Sequence, residues 1–563
     1  MRQTHTVFNQ VPPLVGWSLA DHPVLAETLQ RENAHAARAE IQSLGELAGS
    51  AEAQQWGDLA EAHPPQLKNY DRYGNRIDEV VYDPSYHQLM KVAVEYGLHG
   101  AAWAESGHSP SATETQHSPS ATETQHCAHL ARAAKMIVWG QADAGHLCPI
   151  SMTYAVVPAL RANPAVAAAH EPKLASRVYD PSLRPIAQKA GLIAGMSMTE
   201  KQGGSDVRAN TTSAVPQPDG SYRITGHKWF TSAPMSDLLL VLAQAPGGLS
   251  CFYLPRILPD GSRNNMSVQR LKDKLGNKSN ASSEVEYDEA VGWLVGEEGK
   301  GVKTIVEMVN MTRLDCTLAT STAMSLATAH AAHHATYRSA FGANLVDQPL
   351  MRNVLADLAV EAEASLTTAL WLAAHVDKAT AGDEQAKALL RISLAVSKYF
   401  ICKRGPVHVA EALECLGGNG YTEESRMPRF YREVPLLSIW EGSGNVAALD
   451  ALRAMAKQPE SVALLFAEFD AARGADTRFD SSVAALKDEL AGGFEAIEHR
   501  ARRIVGGLAL ALQGSLLIRH GHPAVADAFA ASRFSQDGFG WTFGALPTGV
   551  DLAPILERAV PKA

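Results

Sequence analysis

Between about residues 191 and 300 the hydrophobic pattern changes period, and that change limits what the chain can become. Short β-rich runs at 221–226, 237–243 and 249–254 are separated by Pro-Asp-Gly and Pro-Gly-Gly turns, which predicts a small β-barrel or sandwich. Up to about residue 190, Ala- and Leu-rich helical segments alternate with the breaks Pro12-Pro13 and Pro64-Pro65, and this part reads as all helical. After Gly301 the 3.6-residue period returns, with Leu350, Met351, Val354, Leu355 and Leu358 on one stripe, as a bundle requires. The expected fold is mainly α with a small β-domain: a helical domain over 1–190, a β-barrel over 191–300, a helical bundle over 301–455 and a C-terminal helical domain over 456–563.

At 563 residues the chain holds several structural units, and an apolar share of 46% with a net charge of −10 excludes a disordered or fibrous chain. Six scattered cysteines form no Cys-x-x-Cys pair, so neither a zinc site nor a disulfide framework is expected, and a reducing cytoplasm fits. The N-terminus lacks the charged-then-apolar order of a signal peptide. The apolar stretch 504–518 is too short to span a bilayer and predicts a buried helix. Residues 108–116 repeat without change over 117–125. With two prolines and no large apolar residue, the insert 108–126 predicts a mobile loop, and His108, His117 and His126 mark a duplication rather than a metal site. His330 and His334 likewise read as packed histidines, with no carboxylate or cysteine to complete a ligand set.

The stretch Met198-Thr199-Glu200-Lys201-Gln202-Gly203-Gly204-Ser205-Asp206 follows an apolar run. It gathers hydroxyls and backbone N–H groups where little side-chain bulk intervenes, which suits a flat polar ligand. Lys228-Trp229-Phe230-Thr231-Ser232 offers an aromatic wall and hydroxyls on alternating faces. Arg338 and Phe341 stand three apart and predict one helical face. Gly417-Gly418-Asn419-Gly420-Tyr421 permits close backbone approach or simply stops a helix. In Ile439-Trp440-Glu441-Gly442-Ser443-Gly444-Asn445, a carboxylate sits between an aromatic wall and a glycine turn, where desolvation would raise its proton affinity. Neither a dinucleotide fingerprint nor a complete P-loop is present.

In that order these motifs resemble the signatures of the acyl-CoA dehydrogenase superfamily, flavoproteins that oxidise a fatty acyl thioester between its α and β carbons. Leu271-Lys272-Asp273-Lys274-Leu275-Gly276-Asn277, Gln348-Pro349-Leu350-Met351-Arg352 and Ile401-Cys402-Lys403-Arg404-Gly405 are similar to the alkylation-response, or AidB, branch of that superfamily. The resemblance implies FAD between the β-domain and the second helical domain. Met196, Met198, Thr199 and Ser205 would line it, Phe230, Thr231 and Ser232 would flank the ring, and Gly417, Gly418, Ile439, Trp440, Gly442, Ser443 and Asn445 would lie along it. It also implies that Arg338, Phe341 and Gln348 reach the FAD of a neighbouring subunit in a homo-oligomer, a tetramer in this family. Glu441 matches the base that removes the α proton of an acyl-CoA. Glu414 departs from the usual pattern, standing where a cofactor-contacting glutamine is common, and a carboxylate there would repel a phosphate.

The same branch is associated with duplex DNA, through the C-terminal domain. From 451 to 563 there are twelve Lys or Arg against thirteen Asp or Glu, so this region is nearly neutral. Its basic cluster, Arg500, Arg502 and Arg503 with Arg519 further on, forms either a non-specific, salt-sensitive DNA ridge or a solvated helix face opposing Glu495 and Glu498. Three functions follow: an FAD-dependent acyl-CoA dehydrogenase-like protein of the alkylation response, an ordinary metabolic acyl-CoA dehydrogenase, or a non-catalytic FAD-stabilised protein that shields DNA.

Overall fold

The computed structural model describes residues 4–106, 127–492, 496–535 and 542–562. The duplicated insert with His108, His117 and His126, and Glu495, lie outside them. The chain forms two compact units, one of Glu52–Asp315 and one of Met1–Ala51 with Cys316–Ala563. The first fifty residues therefore belong with the C-terminal half, a long-range grouping that a reading of consecutive segments does not reveal.

In the first unit a hairpin of β1 (Gln66–Tyr70) and β2 (Arg76–Val81) interrupts the helices, correcting the all-helical expectation for 1–190. Its turn is closed by Asp71 Oδ1, which accepts from the Tyr73 and Asn75 amides, and by Gly74 at φ +84°. Seven strands follow: β3 (Ala194–Ser197), β4 (Ser213–Pro216), β5 (Tyr222–Ser232), β6 (Leu238–Ala245), β7 (Gly248–Pro255), β8 (Met266–Leu271) and β9 (Ser282–Val295). Their order is β3-β5-β4-β6-β7-β9-β8, and the added pairings β3–β6 and β5–β9 close the sheet into a small barrel. Ile224, Val241, Phe252, Leu254, Val268 and Val285 fill it.

Two of the barrel's interior polar groups form an ion pair. Glu200 and Lys228 are both fully buried, 2.9 Å apart. The carboxylate also accepts from Gln202 and from the amides and hydroxyls of Thr211 and Thr212. Burial alone would raise its pKa, but these hydrogen bonds and Lys228 outweigh burial and hold it well below the usual carboxylate range. Desolvation draws Lys228 down to about 8 against the pull of Glu200.

The second unit is helical. Its long members are α1 (Gly301–Tyr337), which begins in the first unit's sequence, α2 (Pro349–Thr380) and α3 (Glu384–Glu414). Leu355 and Leu358 on α2 are buried, but Leu350, at its first turn, is 83% exposed, so the predicted stripe enters the core only from the second turn. Helices Pro459–Asp470, Thr477–Ala491, Ile497–His520, Pro523–Arg533 and Leu552–Ala559 make up the C-terminal part. Among the described residues Ile497–His520 is the one helix long and apolar enough to cross a membrane, yet two thirds of its apolar window is buried within the protein. The C-terminal part is tied to the bundle by charge. Arg533 lies 2.8 Å from Glu361 and 2.7 Å from Asp357, both on α2, and Arg404 of α3 donates to Glu361 at 3.0 Å.

Burial raises the Glu361 carboxyl, but the guanidinium groups of Arg404 and Arg533 overcome it and bring it down to about 2. An unfolded glutamate titrates near 4.5, so this group's stabilisation is whole above about pH 4.5 and drains away as pH falls towards 2. Replacing Arg533 by Met leaves two buried carboxylates short of a partner and should cost about 3–5 kcal/mol. Denaturant unfolding at neutral pH checks this; a loss under about 1 kcal/mol would show that the cluster does not hold the C-terminal helices.

Candidate active site

On the β-unit, the chain leaves β3 with Met196 buried and Met198 and Thr199 half-buried, then exposes Lys201 to Asp206. Glu200 anchors this loop from below through the bonds just described. Asn210 holds the Met198 carbonyl at 2.9 Å, and the Thr199 carbonyl accepts from the Trp229 amide at 2.8 Å. At Gly204 a Cβ would come within 2.4 Å of Thr199 Oγ1, so glycine is needed for the loop to fold back on its own threonine. The result is a fixed turn whose residues 201–206, Ser205 among them, are all exposed.

β5 runs beside it with a bulge. Lys228 pairs with Val285 and Thr231 with Ser283, so Trp229 and Phe230 together oppose Glu284. The bulge turns both aromatic rings outward, with Phe230 exposed, and sends Thr231 inward, fully buried with its hydroxyl bonded to Ser197. Strict alternation therefore fails here: Thr231 lies on the inner side, whereas Phe230 and Ser232 stay on the outer side. Lys272 caps the wall, its ammonium 3.3 Å from the Trp229 ring centre and 4.8 Å from that of Phe230. Glu284 holds the same ammonium at 2.6 Å.

On the helical unit, Arg338 and Phe341 do not share a helix. α1 ends at Tyr337, and β10 (Ser339–Ala340) pairs with β11 (Ala343–Asn344) across a two-residue turn. Phe341 at φ +51° and Gly342 at φ +84° give the primed turn that matches strand twist, and the Phe341 side chain is fully exposed. Gln348 braces the hairpin by donating to the Ala340 carbonyl at 3.1 Å. Asn9 ties it down: its carbonyl accepts from Arg338 Nη1 at 2.6 Å, and its side chain exchanges hydrogen bonds with Ser339.

Gly417–Tyr421 forms a short 3-10 turn after α3. Gly417, at φ +61°, and Gly418 face open space, while Gly420 is required by packing, since a Cβ there would lie 2.1 Å from the Leu413 carbonyl oxygen. Glu414 is exposed at the end of α3. His330 is half-buried against Phe430, and desolvation draws its pKa down to about 3. His334 is buried, and among the described residues no cluster of three metal-ligating side chains occurs.

The segment 439–445 carries the geometry that matters most. Glu441 adopts φ +57°, a left-handed conformation that costs a non-glycine residue free energy, and Gly442 follows at φ +99°. The carbonyls on either side, of Trp440 and Gly442, both accept from Lys398 Nζ, the first at 2.9 Å. Lys398 belongs to α3 and is fully buried. One ammonium thus clamps the peptide units that flank the carboxylate and fixes the strained turn that presents it. Ile439 and Ser443 are exposed and Glu441 is half-buried. Beside it the Trp440 Nε1 donor is buried without a partner among the described residues, which suits a ligand acceptor. Asn445 Oδ1 accepts from Arg502 at 2.9 Å, so a residue expected at the cofactor and one expected at DNA bond to each other. The remaining basic residues are also engaged. Arg500 and Arg503 share Glu489, at 2.8 and 3.4 Å, and Arg519 holds Glu468 at 2.6 Å.

Sequence reasoning missed Lys398, Asn9 and Lys272 as site residues. Lys398 looks like any lysine of a long helix, and Asn9 acts over more than three hundred residues of chain.

Comparison with known proteins accounts for most of the chain. Residues 9–181 match the adaptive response protein AidB N-terminal domain, 195–290 the acyl-CoA dehydrogenase middle domain, and 299–456 the acyl-CoA dehydrogenase C-terminal domain. The chain is 44% identical to the putative acyl-CoA dehydrogenase AidB of Escherichia coli, over 94% of each protein. Its fold superposes on Caenorhabditis elegans ACDH-11, solved in complex with C11-CoA, with a TM-score of 0.82 at 26% identity over 94% of this chain and 92% of that one. It also superposes on the Bd2924 apo-form, with a TM-score of 0.80 at 27% identity over 92% and 100%. The chain therefore belongs to the acyl-CoA dehydrogenase family of FAD-dependent oxidoreductases, in its AidB-like group.

Proposed function

We propose that this protein uses FAD to introduce a double bond between the α and β carbons of an acyl-CoA thioester, with Glu441 as the base. The observation that carries the reading is the strained Glu441 turn, clamped on both sides by buried Lys398. Bound FAD supplies the acceptor for the β hydride, which no side chain can provide. On the β-unit the fixed loop ending at Ser205 and the exposed ring of Phe230 suit a planar, polar cofactor. On the helical unit Glu441 takes the α proton. Its fixed backbone removes the need to order the carboxylate during reaction. The relative solved with C11-CoA supports a thioester as substrate.

The fully exposed Phe341, together with Leu350 and Tyr421, marks surface that a second copy of the chain would cover, in keeping with a homotetramer. The six free cysteines suit a reducing cytoplasm. The adaptive-response match over 9–181 supports a place in the response to DNA alkylation. Within that place duplex binding is the weaker part. Arg500, Arg502, Arg503 and Arg519 all have acidic or amide partners, and of the ion-paired ones only Arg503, whose side chain is 80% exposed, remains largely in solvent. Binding through this ridge predicts an affinity that falls by roughly tenfold or more between about 50 and 200 mM salt, and weakens further in Arg503→Glu. A salt-insensitive affinity would remove the ridge from the account.

Two variants test the base. Glu441→Gln should keep FAD but lose reduction of the flavin by acyl-CoA by at least about a hundredfold, and unchanged reduction would take Glu441 out of the role. Lys398→Met releases the flanking carbonyls and should slow anaerobic flavin reduction by about tenfold or more while the protein still carries FAD. An undiminished rate would show that the clamp is only structural.

A further inference from the structure

Two cations without counter-ions meet beside the turn that carries Glu441. Lys403 belongs to the run 401–405 of α3, and Arg502 to the helix Ile497–His520. Both side chains are exposed, yet both converge on Gly444: from the position a Cβ would take there, Lys403 Cδ is 3.3 Å away, Tyr399 Cε2 3.7 Å and Arg502 Nη2 3.8 Å. Their neighbours in sequence are neutralised. Arg404 holds Glu361 at 3.0 Å, and Arg500 and Arg503 share Glu489 at 2.8 and 3.4 Å. Among the described residues Lys403 and Arg502 form no ion pair. Like charges gathered at one glycine with no carboxylate paired to either repel each other, and a bound anion removes that cost.

The groups around the two cations are donors. Arg502 Nε donates to Asn445 Oδ1 at 2.9 Å, and since a guanidinium cannot accept, this bond fixes the Asn445 amide and leaves its NH2 group over. Among the described residues that NH2 has no acceptor, and the exposed Ser443 side chain makes no capping bond. Burial pushes the Tyr399 hydroxyl up against the pull of Arg502, so it stays protonated at neutral pH. Two positive charges with neutral donors between them suit a diphosphate better than a single carboxylate. The three residues from Glu441 to Gly444 span at most about 11 Å. A flavin placed beside Glu441 carries its diphosphate one five-carbon ribityl chain away, whereas an acyl-CoA carries its own beyond the longer pantetheine arm.

We infer, resting on the FAD-dependent reading above, that Arg502 and Lys403 bind the diphosphate of FAD, with Asn445 oriented by Arg502 to donate to it. The C-terminal helices thus contribute a cofactor residue of their own, and Arg502 is set apart by its task from Arg500 and Arg503, which are occupied by Glu489.

Release of FAD from the full-length holoprotein on dilution, followed by the rise in free-flavin fluorescence, tests this. Arg502→Met and Lys403→Met should each release FAD at least about tenfold faster than the parent, with the far-ultraviolet circular dichroism unchanged. Lys403→Met leaves the Arg502–Asn445 bond in place, so its effect reads the charge and not a loosened turn. Lys457→Met removes the same charge at the other end of the helix Gly444–Lys457 and should release FAD at the parent rate. Release at the parent rate in both Arg502→Met and Lys403→Met would overturn the assignment, as would equal acceleration in Lys457→Met. Unchanged release with weakened binding of CoA would also overturn it, by giving the cluster to the substrate's diphosphate. A parent protein that holds no FAD would overturn the FAD-dependent reading together with this assignment, and is told apart by needing no variant to show it.

Discussion

A single buried ammonium fixes the strained backbone at Glu441. Left to itself, the backbone at Glu441 would relax out of its left-handed conformation, because its side chain crowds the neighbouring peptide. Lys398 prevents this by accepting no freedom of its own: it is enclosed by the bundle and directs two hydrogens to the carbonyls of Trp440 and Gly442. The strain is stored at Glu441, and the hydrogen bonds that store it come from α3 of the bundle. Stability of the helices and geometry at Glu441 are therefore one problem.

The same use of buried charge recurs in both units. In the barrel, Glu200 gathers donors from its own loop, from the start of β4's approach and from Lys228, so the exposed turn at 201–206 rests on an interior ion pair rather than on apolar packing. In the helical unit, Glu361 joins α2, α3 and the C-terminal helix Pro523–Arg533 through two arginines. Buried pairs of this kind contribute less to net stability than apolar contacts of equal size, but they penalise misplacement severely, which suits segments whose position matters more than their affinity for the core.

The large divisions of the fold were legible because they rest on period. A two-residue repeat between 191 and 300 and a 3.6-residue repeat on either side leave few architectures open. The β1–β2 hairpin escaped notice because its strands are short and rich in Lys, Asn, Arg and Asp, with no apolar alternation to set them off from a helix end. The inward turn of Thr231 is not legible in the sequence, because strict alternation fails at a bulge and no single residue type announces one. At Arg338 the sequence did carry a signal: Phe341-Gly342 between short polar runs is a hairpin turn, and three-residue spacing misled only because α1 was extended past Tyr337. The residues that the sequence itself proposes for the site, Ser205, Phe230 and Glu441, lie in contiguous motifs. Those that were missed, Lys398 and Asn9, act on positions far away in sequence, where only the folded chain brings them into contact.

The most direct test of the central claim is the visible absorption spectrum of the purified protein, recorded before and after anaerobic addition of a panel of acyl-CoA thioesters. The account predicts an oxidised flavin spectrum that bleaches with at least one thioester, with Glu441 as the proposed base. A flavin spectrum indifferent to every thioester would contradict Glu441 as a working base, and a protein that neither carries nor takes up FAD would contradict the oxidoreductase reading itself.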